Sequence, residues 1–304
     1  MALDYAQLKS AELLLTRQVL RPDDCIVYAL GVGAGLDSPT NLGDETRFLY
    51  EERLEALPSQ ACVMAYPGFW MRDEAYGLDW RRIVNAELRI ALGRRLPTVG
   101  ELTSRTTVSA IQDKGQGRGA LVLTERSVRD ASVEELAVVR QLNFCKGDGG
   151  YSGSDSRLSD ALPPQIPRPP QDAPFASYEL ATGHQQAAIY RLTGDRNPLH
   201  IDAMAAKAAG YPKPILHGAA TAGMVCRVLA SLLEITQKRF IRKRQIRFTN
   251  ILFPGDLLRV DLGRIADRSG SFRCSTARDN GNPEVAYGTA TWSDEQSPPF
   301  KTNL

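Results

Sequence analysis

The sequence predicts an α+β protein built from two related halves, in which a sheet of antiparallel strands wraps around a helix. Three observations lead to this prediction. A Ser- and Pro-rich stretch divides the 304 residues near their middle. A short pattern recurs on both sides of that stretch at a constant offset. In the second half, apolar residues at helical spacing are followed by a run of strand-type segments.

The dividing stretch is residues 152–174, SGSDSRLSDALPPQIPRPPQDAP. Proline removes backbone donors and biases the preceding residue toward extended conformations, so this stretch is incompatible with a helix or a central strand. We interpret it as a linker. It predicts an N-terminal domain at residues 1–151 and a C-terminal domain at residues 175–304.

The recurring pattern begins with a Pro that precedes a Gly-acidic-Leu triplet and ends with a basic residue. In the first half it contains Gly100, Ile111 and Lys114, and in the second half Gly255, Ile265 and Arg268. The offset between the copies stays at 154 to 155 residues. Together with the linker position, this favours a duplicated domain.

The second half predicts its elements in a clear order. A polar segment at 193–200 precedes a short Ala-rich helix near 202–209, and the loop GYPKPILHG leads into a longer helix from about 218 to 234. The first turns of that helix carry small residues, which allow close packing. Strands are predicted near 244–252, 256–266, 271–279 and 284–292, with a turn at 279–283.

Composition and charge exclude several classes of protein. The formal net charge is +2, so no overall field favours nucleic acid or an anionic membrane. No apolar run reaches the roughly 18 residues of a membrane-spanning helix, and the polar N-terminus is unlike a secretory signal. The five cysteines form no C-x-x-C pair, which argues against a disulfide framework or a cysteine zinc site. We expect a cytoplasmic protein with reduced thiols.

Residues 193–200 carry the strongest candidates for chemistry. Asp195 and His200 would lie on different faces of a continuous helix, but the turn residues between them can bring both side chains to one water molecule. Asn197 is able to hold the same water. A carboxylate and an imidazole suit proton transfer near neutral pH. The alternative interpretation is an ordinary Asx-turn beside an exposed histidine.

A second candidate lies at the start of the longer helix. A helix N-terminus presents unpaired N–H groups, and Gly218 has no side chain to block approach. Its N–H is therefore a candidate donor to a carbonyl oxygen on which negative charge develops. The alternative is that Gly218 only allows close packing. For His217, a structural or capping role is the preferred interpretation over a catalytic one.

These segments resemble a known family. The pattern G-D-x-N-P-L-H-x-D at 194–202, then A-x-x-x-G at 206–210 and P-I-L-H-G at 214–218, resembles the signature of the MaoC-like hydratases, specifically the hydratase 2 group of (R)-specific enoyl-CoA hydratases. The segments YALGVGA, LP-x-x-G, DKG, GDGGYSG and IRFTNILFPGD extend the resemblance over most of the chain.

The resemblance implies a double hot-dog fold, with two copies of a long helix wrapped by an antiparallel sheet and catalysis confined to the second copy. It implies that Asp195 and His200 activate a water, that Asn197 positions it and that the Gly218 N–H binds the thioester oxygen. It assigns Lys114 and Phe248 to the CoA or acyl-binding path. The expected partner is an acyl-CoA substrate, the expected assembly a homodimer, and no metal or cofactor is required.

One departure concerns substrate contacts. Eukaryotic members carry H-G-E-Q, whose first two residues touch substrate, where this chain has Asn85-Ala86-Glu87-Leu88. The departure puts the substrate range in question and leaves the reaction intact. The C-terminal KTNL lacks the peroxisomal tag of those relatives, which favours a bacterial, cytoplasmic enzyme.

One further pattern and three rival functions stay open at this point, whereas a second pattern is dismissed. GVGAG at 31–35 fails the dinucleotide-loop pattern at its last position. The basic run KRFIRKRQIR at 238–247 is either a contact for CoA phosphates or a solvated face. The rival functions are a dehydratase acting on 3-hydroxyacyl-CoA or on acyl carrier protein, a hot-dog thioesterase and a non-catalytic acyl-CoA-binding protein.

Overall fold

A computed structural model describes residues 3–36, 45–237, 239–263, 266, 268–278 and 281–294. The helices are α1 (Tyr5–Lys9), α2 (Pro22–Gly31), α3 (Gln186–Tyr190), α4 (Ala203–Ala208) and α5 (Gly218–Gln237). The strands are β1 (Glu12–Leu20), β2 (Ile83–Leu92), β3 (Gly100–Asp113), β4 (Ala120–Asp130), β5 (Glu135–Cys145), β6 (Ala176–Ala181), β7 (Arg239–Phe248), β8 (Leu257–Leu262), β9 (Ser269–Thr276) and β10 (Glu284–Asp294). Ile265 of the repeat and part of the predicted 279–283 turn lie outside the described residues.

The strands form one antiparallel sheet of ten, in the order β1-β3-β4-β5-β2-β7-β10-β9-β8-β6. When it is read from each outer edge inward, both halves show the same order, because β1, β3, β4, β5 and β2 match β6, β8, β9, β10 and β7. The halves join where β2 pairs with β7, from Glu87 opposite Arg247 to Ala91 opposite Lys243. The predicted duplication is therefore visible in the topology, and the double hot-dog fold class is confirmed.

The two helices enclosed by the sheet differ in length. In the second half α5 has 20 residues, as expected, whereas α2 of the first half has only 10. The small residues of α5 permit close packing, which we expected to be against the sheet. At Gly223 the close neighbour is instead the end of α2. A Cβ at Gly223 would overlap Cγ1 of Val32 and lie 3.1 Å from the Tyr28 hydroxyl. The described part of the chain contains no helix long and apolar enough to cross a membrane.

The basic run within 238–247 is not a continuous solvated face, and its contact with CoA phosphates stays a prediction. It forms most of β7, which begins about five residues earlier than predicted. Arg242 and Arg244 point into the protein and are buried. Their guanidinium groups donate to the backbone carbonyls of Gly93 and Ala222. Because backbone carbonyls can satisfy a buried guanidinium, a run of basic residues does not exclude a strand whose arginines point into the protein.

The segment 152–174 contains no strand or α-helix, as predicted, but it packs along the protein. Asp160 accepts hydrogen bonds from Lys9, from Tyr5 and from the backbone N–H of Ile111. Further along, Arg89 donates to the Pro164 carbonyl and Arg273 to the Pro169 carbonyl. The segment therefore contacts both halves.

We expect Gly223→Ala to destabilise the fold, although alanine is the better helix former. The new methyl group would overlap Val32, and overpacking of this kind costs about 1–3 kcal/mol in the free energy of unfolding. Chemical denaturation measures the loss. The double variant Gly223→Ala/Val32→Ala removes the overlapping atom and should recover part of it. A Gly223→Ala protein as stable as wild type would contradict the close helix packing.

Candidate active site

The loop between α3 and α4 is shaped by its glycine and by two short turns. Gly194 has a φ of +131°, a conformation that L side chains rarely adopt, and a Cβ there would lie 3.2 Å from the ring of Tyr66. A 3₁₀ turn at Arg191–Thr193 precedes it and another at Pro198–His200 follows. This path folds the chain back so that the side chains on either side of Pro198 face one cavity.

Local hydrogen bonds fix the loop. The Asn197 N–H donates to Oδ1 of Asp195 at 3.2 Å, and the Leu199 N–H donates to Oδ1 of Asn197 at 3.1 Å. The Asx-turn considered as the alternative is thus present. The exposed histidine that accompanied that alternative is absent, because His200 is only 8% exposed. The side-chain oxygen of Asn197 serves the turn, which leaves its amide nitrogen for a ligand.

His200 is held in one tautomer. Its Nδ1 lies 2.9 Å from the backbone carbonyl of Ile215. A carbonyl oxygen only accepts hydrogen bonds, so Nδ1 carries the proton and Nε2 keeps its lone pair. Burial lowers the pKa of His200, and the negative charge of Asp195 opposes that shift in part. The imidazole is therefore neutral at neutral pH, with an unprotonated Nε2.

His217 contacts both His200 and the loop that carries Asp195. Its ring stacks on that of His200 with centroids 3.6 Å apart, and its Nε2 donates to the backbone carbonyl of Asp195 at 3.2 Å. Burial and the nearby His200 hold the pKa of His217 well below its usual value. It is 1% exposed. These contacts agree with the preferred structural interpretation, in which His217 positions the loop and the other imidazole.

Asp195 completes the cluster. It is half-buried, and one of its carboxylate oxygens and one ring nitrogen from each histidine all lie within 4.8 Å of one another. Such a set is the one group among the described residues able to hold a metal ion. Two of its four ring nitrogens, however, already donate to backbone carbonyls. The expectation that no metal is required stays a prediction.

Gly218 begins α5 immediately beside these residues. Within the described part of the chain its N–H donates no hydrogen bond, so both the free donor and the positive end of a 20-residue helix face the site. The Phe248 ring lies 3.4 Å from the position that a Cβ on Gly218 would occupy. Because glycine carries no Cβ, no side chain of its own covers the helix N-terminus.

A single cavity of about 430 Å³ connects the predicted residues. Asp195, Asn197, His200 and Gly218 line it, as do the predicted substrate contacts Asn85, Ala86 and Phe248. Lys114 does not. It is exposed in the turn between β3 and β4, and it was placed on the path by resemblance alone. Its predicted contact with substrate therefore gains no support from this cavity.

Several lining residues were missed by sequence reasoning. Tyr66 packs against Gly194, and Tyr190 lies 4.7 Å from the His217 ring. Burial and the charge of Asp195 raise the pKa of the Tyr66 hydroxyl, which keeps it protonated. The first half also contributes residues from β3, β4 and β5 to the cavity wall. Irregular segments such as 62–71 carry no periodic pattern that would have identified them.

Comparison with known proteins identifies the family. Residues 20–147 match the model of the MFE-2 hydratase 2 N-terminal domain, and residues 165–281 match that of the MaoC like domain. The first match ends just before the predicted linker at 152–174, and the second begins within it.

Relatives match over most of the chain. The 3-hydroxyacyl-thioester dehydratase Y of Mycobacterium tuberculosis is 34% identical, over 85% of this chain and 87% of its own length. The peroxisomal enoyl-CoA hydratase 2 of Arabidopsis thaliana is 31% identical, over 81% and 82%. The structure of full-length peroxisomal multifunctional enzyme type 2 from Drosophila melanogaster superposes with a TM-score of 0.74 at 30% identity. The match covers 92% of this chain and 48% of that longer one. The chain therefore belongs to the MaoC-like, hydratase 2 family of hydro-lyases.

Proposed function

We propose that the protein adds water reversibly across the double bond of a trans-2-enoyl-CoA, giving the (3R)-3-hydroxyacyl-CoA. The observation that carries this proposal is the convergence of the Asp195 carboxylate and the unprotonated Nε2 of His200 beside the free N–H of Gly218. Hydration of an enoyl thioester needs both parts, a group that activates water and a donor for the carbonyl oxygen.

The carboxylate and the imidazole hold the water. Both are acceptors in the states described above, so each accepts a hydrogen bond from one O–H of the same water molecule. A lone pair of the water oxygen is then directed into the cavity. The amide nitrogen of Asn197 is placed to donate to that water. Because Asp195 and His200 act as a pair, the proton that leaves the water belongs to both rather than to one named base.

The helix N-terminus stabilises the charge that develops. Attack of the water oxygen on C3 moves electron density through C2 onto the thioester oxygen, which becomes enolate-like. The Gly218 N–H and the positive end of α5 stabilise that oxygen, and a donor of this kind typically contributes about 10²–10³ in turnover. No metal or organic cofactor takes part in this sequence of steps.

The hydroxyl and the proton of one water account for all the atoms that the product gains. The hydroxyl adds to C3, one proton passes to the Asp195–His200 pair, and the pair returns a proton to C2. Both events occur on the face of the double bond that the pair occupies, which is a same-face addition. The (R) configuration at C3 rests on the family resemblance.

The reverse reaction is the second candidate, and one observation favours it. The Mycobacterium tuberculosis relative at 34% identity is named a 3-hydroxyacyl-thioester dehydratase. The same residues would remove water from the hydroxyacyl thioester by the reverse of these steps. Initial rates in both directions, with CoA and with acyl carrier protein thioesters, distinguish the physiological direction and carrier.

We expect Asp195→Asn and His200→Gln each to lower kcat for crotonyl-CoA by about 10²–10⁴, because each replaces a group that can take up a proton from the water with an amide that cannot. Loss of enoyl absorbance measures the rate. The matched controls are Asp172→Asn and His184→Gln, whose side chains are exposed and outside the cavity, and they should retain wild-type activity. Turnover that survives both active-site substitutions would place the reaction elsewhere.

The lowered pKa of His200 predicts where activity falls at low pH. The imidazole must be neutral to accept a proton, and burial disfavours its charged form, so the acidic limb of kcat/KM should lie below pH 6.5. In Asp195→Asn the opposing negative charge is lost, so the imidazole titration followed by NMR should move lower still. An acidic limb above pH 6.5 that follows His200 would contradict this account.

A further inference from the structure

The inner face of the first half's sheet carries an unusual row of polar side chains. We call this row the polar band. It runs across three adjacent strands, and its members are Ser104 and Thr106 of β3, Thr124 and Arg126 of β4, and Gln141 and Asn143 of β5. In the sheet register Thr106 lies opposite Arg126, and Thr124 lies opposite Gln141. All except the half-buried Gln141 are buried.

Apolar residues flank the band on both sides along the same strands. On β4, the inward positions read Ala120 and Val122 before the band and Val128 after it. The residues before it belong to one hydrophobic cluster and the residue after it to another. A hot-dog sheet packs its inner face against apolar groups, so this interruption replaces core positions with hydrogen-bonding groups.

Three members of the band are hydrogen-bonded within the protein, and one of them is Thr124, whose hydroxyl donates to the Gln141 backbone carbonyl at 3.3 Å. Ser104 donates to the Ala65 carbonyl at 2.6 Å. Arg126 donates to the carbonyls of Ala61, Cys62 and Met64, at the end of a 3₁₀ turn. Because these carbonyls take up its N–H groups, Arg126 is a fixed wall of the cavity rather than a free site for a carboxylate.

The remaining members keep unused hydrogen-bonding capacity toward the cavity. The Thr106 hydroxyl is buried and has no partner among the described residues. The Gln141 amide nitrogen donates to the Asn143 side-chain oxygen at 2.9 Å. That leaves the Gln141 oxygen and the Asn143 nitrogen without partners in the described chain. All three residues line the cavity that contains Asp195 and His200. Buried polar groups left unpaired are costly, so a ligand or water must complete them.

The band lies away from the open end of the cavity. Gly218 contacts Phe248 of β7. The two residues after Phe248, Thr249 and Asn250, are exposed and line the cavity. From β7 the sheet continues through β2, β5 and β4. The band therefore begins two to three strand spacings from Phe248, roughly 10–15 Å along the sheet. A thioester placed at Gly218 with its CoA toward the exposed end would direct its acyl chain toward the band.

We propose that the substrate's acyl chain carries a hydroxyl or keto oxygen that accepts a hydrogen bond from the unpartnered Thr106 hydroxyl, in the band that also holds the free groups of Gln141 and Asn143. This inference rests on the proposed function and specifies its substrate class. An unsubstituted alkyl chain would displace water from these groups and leave them unpaired, whereas a chain oxygen restores their hydrogen bonds.

The test compares trans-2-decenoyl-CoA with a series of oxygenated forms of the same chain length. Each form carries one hydroxyl or keto oxygen, at a different position along the chain. Wild-type enzyme should prefer one oxygenated position by about three- to tenfold in kcat/KM, the value of one net hydrogen bond. Thr106→Val keeps the shape but removes the hydroxyl, so it should lower kcat/KM on the preferred oxygenated chain to about its own value on decenoyl-CoA. Thr107→Val, on the exposed face of the same strand, is the matched control and should change neither rate.

Binding of the saturated analogues separates this inference from the proposed function. Decanoyl-CoA, its hydroxylated forms and free CoA are titrated by fluorescence of the cavity-lining Trp70 or by calorimetry. If neither enoyl-CoA is hydrated, the proposed function fails, and a binding preference for the hydroxylated analogue still supports the band's role. If decenoyl-CoA is hydrated as well as every oxygenated chain, the inference fails alone. Weaker binding of free CoA to Thr106→Val would mean that the band contacts the CoA arm, which also overturns it.

Discussion

The hydrogen bond from the Nδ1–H of His200 to the Ile215 carbonyl determines what the rest of the site can do. It fixes the tautomer, so the ring nitrogen with the lone pair is the one that faces away from the backbone. The accepting residue is itself held, because the Ile215 N–H donates to the Leu199 carbonyl and the neighbouring Leu216 N–H donates to the Leu252 carbonyl. The loop, the start of α5 and the segment between β7 and β8 are thereby joined at one point, and a small shift of any of them would move the imidazole relative to Gly218.

The two halves share a topology but have diverged in what their inner faces carry. All three histidines lie in the second half, whose helix is twice as long as that of the first. The first half contributes the polar band and the segment around Tyr66. Where the halves meet, Glu87 of β2 pairs with Arg247 of β7 and with Arg89. The cavity spans that junction. In the proposed function one half would supply the chemistry and the other the wall against which the acyl chain would lie.

The sequence was informative where spacing and chemistry coincide. Asp195, Asn197, His200 and Gly218 lie within 24 positions of the chain, and turn residues between them limited how the backbone could run. The positions of α4 and α5 followed from periodicity and composition. The predicted start of β7 was about five residues too late, because its arginines were interpreted as a solvent-exposed or phosphate-binding segment. Only the structure shows the backbone carbonyls that accept their hydrogen bonds. The lining from Tyr66 and the band depend on contacts between distant strands, which no local pattern reports. The band did leave a trace, since polar residues at alternate positions of β3, β4 and β5 face the same side.

In the proposed mechanism Asp195 and His200 hold one water and deliver both of its parts to the same face of the double bond. The decisive measurement is hydration of crotonyl-CoA in D₂O, followed by NMR of the product. We expect one deuterium at C2, in the single diastereomer that same-face addition produces, together with the (3R) hydroxyl. Deuterium on the opposite face, or an equal mixture at C2, would show that water and proton arrive from different sources and would rule this mechanism out.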